Sequence, residues 1–237
     1  MSILGFIPAR LGSKGLPDKN FKNFIGKPLV HYTLKLAKEL GEVVYPFLSS
    51  NDPRIIEYAK KLGYDSEYIR PNILSSDTSS VVDAVIHGLE FLENFKGKKF
   101  DSVILLQPTS PLRLYSDVKS AILNFRDNDY SSLASVCKMK EHPRECISLK
   151  EDNQWEYLVR NSEKVFNRQN YKDNYAFLDG SFYIAKVGFL KKNNRFVIEN
   201  ETKLFWIDSK YTIDIDYLED FEFAEYLYQK RHYRTFE

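Results

Sequence analysis

Up to Cys137 the apolar positions alternate between short unbroken runs and runs spaced by three or four. Ile3-Leu4-Gly5-Phe6-Ile7 is an unbroken run and predicts a buried first strand. Leu29, Tyr32, Thr33, Leu36 and Leu40 recur at helical spacing, so Pro28–Leu40 reads as a helix with Pro28 in its first turn and Gly41 as its stop. Val43–Leu48 reads as a second strand. Asp52-Pro53 caps a helix carrying Ile55, Ile56, Ala59 and Leu62, stopped at Gly63. A short strand is expected around Glu67-Tyr68-Ile69. A helix follows over Val81–Asn94, a strand over Ser102–Leu106, a helix over Ser116–Asn128 and a strand over Ser132–Cys137.

This alternation predicts an α/β fold: a mostly parallel twisted sheet with helices on both faces. Ligands of such sheets bind beyond the carboxyl ends of the strands. The loops expected at that edge are Arg10–Asn20, Ser49–Asp52, Arg70–Ser80 and Gln107–Arg113, and the polar and cationic residues concentrate in them. The rhythm breaks from Met139 to Tyr175, which is polar and rich in charge. That stretch reads either as a disordered insertion or as an excursion packed on a second subunit. Trp155, Tyr157, Leu158 and Val159 favour the excursion. Beyond it, strands are expected at Gly180–Ala185 and Leu204–Asp208, a short helix at Val187–Lys192, and a final amphipathic helix at Tyr217–Gln229. The whole reads as one domain over 1–237 with an inserted segment over 139–175.

Composition narrows the partners. The 237 residues include 34 Lys+Arg against 33 Asp+Glu, a formal net charge of +1, which argues against a nucleic-acid coat. No apolar run approaches the roughly 18 residues of a membrane span, so no membrane partner is expected. The opening residues read as a strand and not as a leader, and Cys137 and Cys146 form no disulfide framework or metal spacing. Both point to the cytoplasm. The four histidines are scattered and carry no chemistry in this reading.

Two stretches carry chemistry. Arg10-Leu11-Gly12-Ser13-Lys14-Gly15-Leu16-Pro17-Asp18-Lys19-Asn20 follows the first strand. Its glycines permit close approach of a ligand, and its cations suit a polyphosphate. Alone it also fits a solvated turn, and it matches neither a Walker A loop nor a dinucleotide fingerprint. In Ile213-Asp214-Ile215-Asp216 an extended chain would turn both isoleucines to the core and both carboxylates to one side. Alone that fits a surface strand. Joined to a phosphate loop, it fits Mg²⁺, which takes one or two carboxylates plus substrate phosphates. The proline-stiffened Gln107-Pro108-Thr109-Ser110-Pro111-Leu112-Arg113 and the guanidinium groups of Arg70 and Arg168 add donors.

Ile7–Asn20 resembles the signature of the acylneuraminate cytidylyltransferases, the CMP-sialic acid synthetases. Gly26–Leu29, Arg70-Pro71, Ser76-Asp77-Thr78, Leu106–Arg113 and Ile213–Asp216 match further blocks of that family in the same order. The resemblance implies a Rossmann-like nucleotidyltransferase fold. It implies transfer of CMP from CTP to the anomeric hydroxyl of a nine-carbon 2-keto acid sugar, with release of pyrophosphate. Carried over by position, Arg10, Lys19 and Asp216 would be catalytic. Ala9, Arg10, Gly12, Ser13, Lys19, Asn20, Arg70, Thr78, Ser79 and Ser80 would bind the nucleotide. Gln107, Arg168 and Asp179 would meet the sugar, and Asp214 and Asp216 would hold Mg²⁺. The 139–175 segment would make a homodimer, and whether Arg168 serves its own site or the partner's is left open.

Two departures lie on the sugar side. Phe177-Leu178-Asp179-Gly180-Ser181 stands where sialic acid members often carry Arg-Pro-Asn-Gly-Ala, and Arg144-Glu145 follows His142-Pro143. The acceptor therefore stays open among sialic, legionaminic and pseudaminic acids. The alternatives are an eight-carbon keto acid, a silent nucleotide-binding subunit and a glycosyltransferase.

Overall fold

The computed structural model describes residues 1–13, 15–65, 67–159 and 175–233. The strands are β1 (Ile3–Pro8), β2 (Asn23–Phe24), β3 (Lys27–Pro28), β4 (Tyr45–Ser49), β5 (Ser102–Leu105), β6 (Ser132–Lys138), β7 (Ile147–Leu149), β8 (Trp155–Tyr157), β9 (Ala176–Lys186) and β10 (Lys203–Trp206). The helices are α1 (Val30–Glu39), α2 (Pro53–Lys61), α3 (Val81–Lys96), α4 (Tyr115–Asp127), α5 (Val187–Asn193) and α6 (Leu218–Tyr233).

Six strands form one sheet in the order β10-β6-β9-β5-β1-β4. All run parallel except β9, which is antiparallel to both β5 and β6. β1 and β5 are buried almost throughout, as their unbroken apolar runs require. Helices α1, α2 and α4 cover one face through Val30, Leu34, Ile55, Val118 and Phe125. Helices α3 and α5 cover the other through Val82, Leu89, Leu92 and Leu190. A third, smaller cluster joins Leu16 and Phe24 near the amino end to Ile215, Phe221 and Ala224 near the carboxyl end. It draws the last segment of the chain back over the first loop.

Several boundaries moved for identifiable reasons. The Asp52 cap formed as expected, its carboxylate accepting the Arg54 amide at 2.9 Å. Helix α1 starts two residues late because Lys27–Pro28 pairs with Asn23–Phe24. The strand expected at Glu67-Tyr68-Ile69 does not form. Tyr68 is buried there, but the neighbouring backbone bond, from the Arg70 amide to the Ser50 carbonyl at 2.8 Å, starts no ladder. β9 begins at Ala176, four residues before the expected start. Its first half is masked in sequence by Gly180, whose φ of 75° accompanies a register shift against β6 between Ala134 and Val136. Part of the 139–175 excursion is ordered as an antiparallel hairpin of β7 and β8. Ile147, Leu149, Trp155 and Tyr157 are exposed on it.

Gly88 sits inside α3 between two rings of the core. A Cβ there would lie 2.9 Å from Phe47 and 3.0 Å from Phe6. Alanine gains about 1 kcal/mol of helix propensity, while overpacking a dense core costs about 1–3 kcal/mol. Gly88→Ala is therefore expected to lower stability in urea unfolding, despite the better helix former. An increase would show that the rings yield freely.

Candidate active site

The carboxyl ends of β1 and β5, with the chain that follows β4, frame a cavity of about 430 Å³. Arg10, Ser13, Gly15, Lys19 and Asn20 line it from the first loop. Arg70, Ser76, Asp77 and Ser79 line it from the segment before α3, and Gln107 and Thr109 from the loop after β5. Asp216 closes it from near the carboxyl end.

Each charged group in the wall is held by a specific partner. Lys19 Nζ donates to the Ile215 carbonyl at 2.6 Å and to Asp216 Oδ1 at 2.9 Å. Arg10 Nη2 pairs with Asp77 Oδ1 at 2.6 Å. Buried Asn20 donates through Nδ2 to the Arg10 carbonyl at 3.1 Å, which ties the two ends of the loop together. Arg70 is only 4% exposed. It donates through Nη2 to the Leu74 carbonyl, while its Nε finds no acceptor among the described residues. Burial pulls the Arg70 pKa down. Arg70 lines the cavity, while its Nε is itself closed off from solvent.

The approach of the two chain ends depends on one small residue. A Cβ on Gly15 would drive into the Asp216 carbonyl oxygen. From the other side, the Ile215 amide donates to the Thr109 carbonyl at 2.9 Å. Asp220 Oδ2 accepts the amides of Asp216 and Tyr217 at 3.0 and 2.9 Å. Ile215 is buried between Asp214 and Asp216, although the segment joins no sheet, but the expectation that both carboxylates face one side is not met, since only Asp216 lines the 430 Å³ cavity. Asp214 lines a separate cavity of about 440 Å³, together with Lys138, Phe177 and Phe223. Burial raises the Asp214 carboxyl above its usual range and the Asp216 carboxylate adds to this, against Thr109, Lys19 and Arg113.

The other expected residues sit around this frame. Ala9 is buried, its carbonyl accepting Ser50 Oγ at 2.6 Å. Gly12 turns the loop with φ 78°, and Ser80 caps α3 by accepting the Val82 amide at 3.1 Å. Thr78 is exposed beside Ser76. Asp179 is buried and outside the cavity wall, one oxygen accepting from Ser181 and the other without a partner among the described residues. Arg168 lies outside the described residues.

Sequence reasoning gave no role to Asp77 and expected Arg113 only as one donor of the Gln107–Arg113 loop. The lone carboxylate in the run Ser75–Ser80 was the signal for Asp77. Arg113 is buried outside the cavity wall, donating to the Ser181 carbonyl at 2.8 Å and to Thr33 Oγ1.

Among the described residues no three His, Cys, Asp or Glu side chains gather as a metal cage. The chain offers two hard carboxylates instead, one in the cavity wall and one two residues away with its pKa raised partly by the first. Hard carboxylate oxygens suit a Mg²⁺ whose remaining positions are filled by water and substrate oxygens, with Asp216 the one that lines the 430 Å³ cavity and Asp214 lining its neighbour.

The cytidylyltransferase family profile matches residues 4–236. The chain is 32% identical over 238 residues to a pseudaminic acid cytidylyltransferase of Campylobacter jejuni, covering all of both chains. It is 32% identical to a CMP-N,N'-diacetyllegionaminic acid synthase of Legionella pneumophila, covering 96% of each. In fold it is similar to a CMP:2-keto-3-deoxy-manno-octonic acid synthetase solved with CTP. The TM-score is 0.71 at 17% identity, with coverage of 98% of this chain and 100% of that one. With a frame of strands, a cation-rich loop and a carboxyl-end carboxylate matched over nearly its whole length, the chain belongs to the cytidylyltransferase family.

Proposed function

We propose that this nucleotidyltransferase joins CMP from CTP to the anomeric hydroxyl of a nine-carbon 2-keto acid sugar of pseudaminic, legionaminic or sialic type, releasing pyrophosphate. The observation that carries this reading is the convergence of Arg10, Lys19 and Asp216 on one cavity that Arg70 also lines. Full-length similarity to enzymes named for pseudaminic and legionaminic acids supports the nine-carbon acceptor.

In this reading Arg10, Ser13 and Lys19 hold the triphosphate. Asn20, Arg70 and the Thr78–Ser80 loop hold the cytidine, with Ala9 and Gly12 shaping the backbone beneath. Phosphoryl transfer of this kind rests on positioning and charge neutralisation. Arg10 and Lys19 offset charge on the reacting phosphate and the departing pyrophosphate. Asp214 and Asp216 would hold a divalent ion, which would supply Lewis-acid neutralisation of the triphosphate. Gln107 meets the sugar, Arg168 pairs with its carboxylate, and Asp179 supports that side of the site. The exposed apolar residues of the β7–β8 hairpin suit burial against a second copy of the chain, so the working unit is a homodimer. Its place in this reading is the cytoplasm. Among the described residues no helix is long and apolar enough to cross a membrane.

Pyrophosphate release measured with each of the four nucleoside triphosphates and a set of keto acid sugars tests the proposal. Release is expected with CTP and a nine-carbon acid. Release only with an eight-carbon acid, or none with any pair, would overturn it. Gly15→Ala is expected to lower turnover by about a hundredfold, because the added methyl pushes the Asp216 backbone out of place. Unchanged turnover would show that the two chain ends need not touch.

Asp214 also predicts a pH signature. Its folded pKa lies above the unfolded one. The carboxyl therefore adds stability below the ordinary carboxylate range, and that stability is lost as pH rises through the folded pKa. In metal-free buffer, Asp214→Asn should gain on wild type in Tm between acidic and neutral pH. Parallel Tm curves would contradict the raised pKa.

A further inference from the structure

Lys19 reaches its partners from a turn that begins with an unusual backbone. Asp18 has φ 54° and ψ 23°, the left-handed region that a residue with a Cβ enters at a cost. Its carbonyl accepts the amides of Phe21 and Lys22 at 2.8 and 2.9 Å, so the turn that aims Lys19 hangs from this one residue.

Arg54, the second residue of α2, grips that residue from outside. Asp52 is almost fully buried and caps α2. Arg54 Nε donates to Asp52 Oδ1 at 3.1 Å and Nη2 to Asp52 Oδ2 at 2.8 Å, a two-point fork. The same Nη2 donates to Asp18 Oδ1 at 2.8 Å. The guanidinium face lies over the Phe21 ring, 5.1 Å from its centroid. One planar group is thus anchored to a helix cap on one edge, bonded to the left-handed residue on the other, and stacked on the turn it controls. Neither Arg54 nor Asp18 lines the 430 Å³ cavity, so the grip acts from behind the loop.

We propose that Arg54 is a positioning residue for nucleotidyl transfer, holding Asp18 left-handed so that Lys19 is presented to the triphosphate. This rests on the proposed role of Lys19 in CTP binding. The Arg54–Asp18 pair is exposed and contributes little to stability, whereas the Asp52 carboxylate is buried, so loss of Arg54 acts on the geometry of the turn through the first and on the fold through the second. The Arg54 hydrogen bond also holds the Asp18 carboxyl below its usual range, in keeping with a persistent contact. Lysine cannot replace the arginine, because an ammonium group lacks both the fork and the flat face.

The test uses Arg54→Ala, Arg54→Lys, Asp18→Gly and the double variant Arg54→Ala/Asp18→Gly in the full-length enzyme. Glycine adopts the left-handed conformation without help, so it should make the grip unnecessary. Arg54→Ala and Arg54→Lys are expected to lower kcat for pyrophosphate release about tenfold, with KM for CTP within about threefold and a modest fall in Tm from the buried Asp52 carboxylate that Asp18→Gly does not reverse. Amide hydrogen exchange at Phe21 and Lys22 should quicken in both. Asp18→Gly should stay near wild type, and the double variant should recover both kcat and exchange protection. Unchanged kcat and exchange in Arg54→Ala, or a double variant no better than Arg54→Ala, would overturn the proposal. If the wild type releases no pyrophosphate with any acceptor, the reading of Lys19 fails while the exchange arm still decides whether Arg54 holds the turn.

Discussion

A single ammonium group joins the two ends of this fold. Lys19 Nζ bonds both the carbonyl of Ile215 and the carboxylate of Asp216, nearly two hundred residues away in sequence. No β-ladder holds that late segment. It is fixed by the small apolar cluster of Leu16, Phe24, Ile215 and Phe221, by the Thr109 carbonyl, and by the cap that Asp220 supplies. The six-stranded sheet would exist without this contact. The cavity would then lack one wall.

The resting site is balanced in charge. Asp77 faces Arg10 and Asp216 faces Lys19, so the cations that would meet a triphosphate already have carboxylate partners. Charged groups drawn partly out of water need such partners to stay extended into a cavity. A phosphate arriving at Arg10 exchanges one anion for another and needs little reorganisation of the arginine. A divalent ion held by Asp216 would likewise exchange one cation for another. Preorganisation of this kind keeps the cost of rearrangement low when charge develops in the reaction.

Much of this was legible in sequence where local chemistry and global position agree. The run Ile3–Ile7 became a central strand because five successive apolar residues have no exposed face to offer. Asp52-Pro53 read as a cap because the geometry of a helix start demands an acceptor and tolerates proline. Asp214 and Asp216 flank a buried isoleucine, as the alternation required. What stayed hidden depends on contacts far apart in sequence. Asp77 matters because Arg10 reaches it across the cavity, Arg113 because burial gives it a role that no local pattern marks, and Gly15 because a distant carbonyl crowds it. The first half of β9 was missed because a positive-φ glycine breaks the strand signal where the sheet itself bends.

The proposed nucleotide site lies at the seam between the carboxyl ends of the strands and the returning carboxyl end of the chain. A crystal structure of the protein soaked with CTP and Mg²⁺ addresses this most directly. The account predicts the triphosphate in the cavity between Arg10, Lys19 and Asp216, with the base edge on Arg70. A nucleotide bound elsewhere, with Lys19 still on Asp216 and Arg10 still on Asp77, would contradict it.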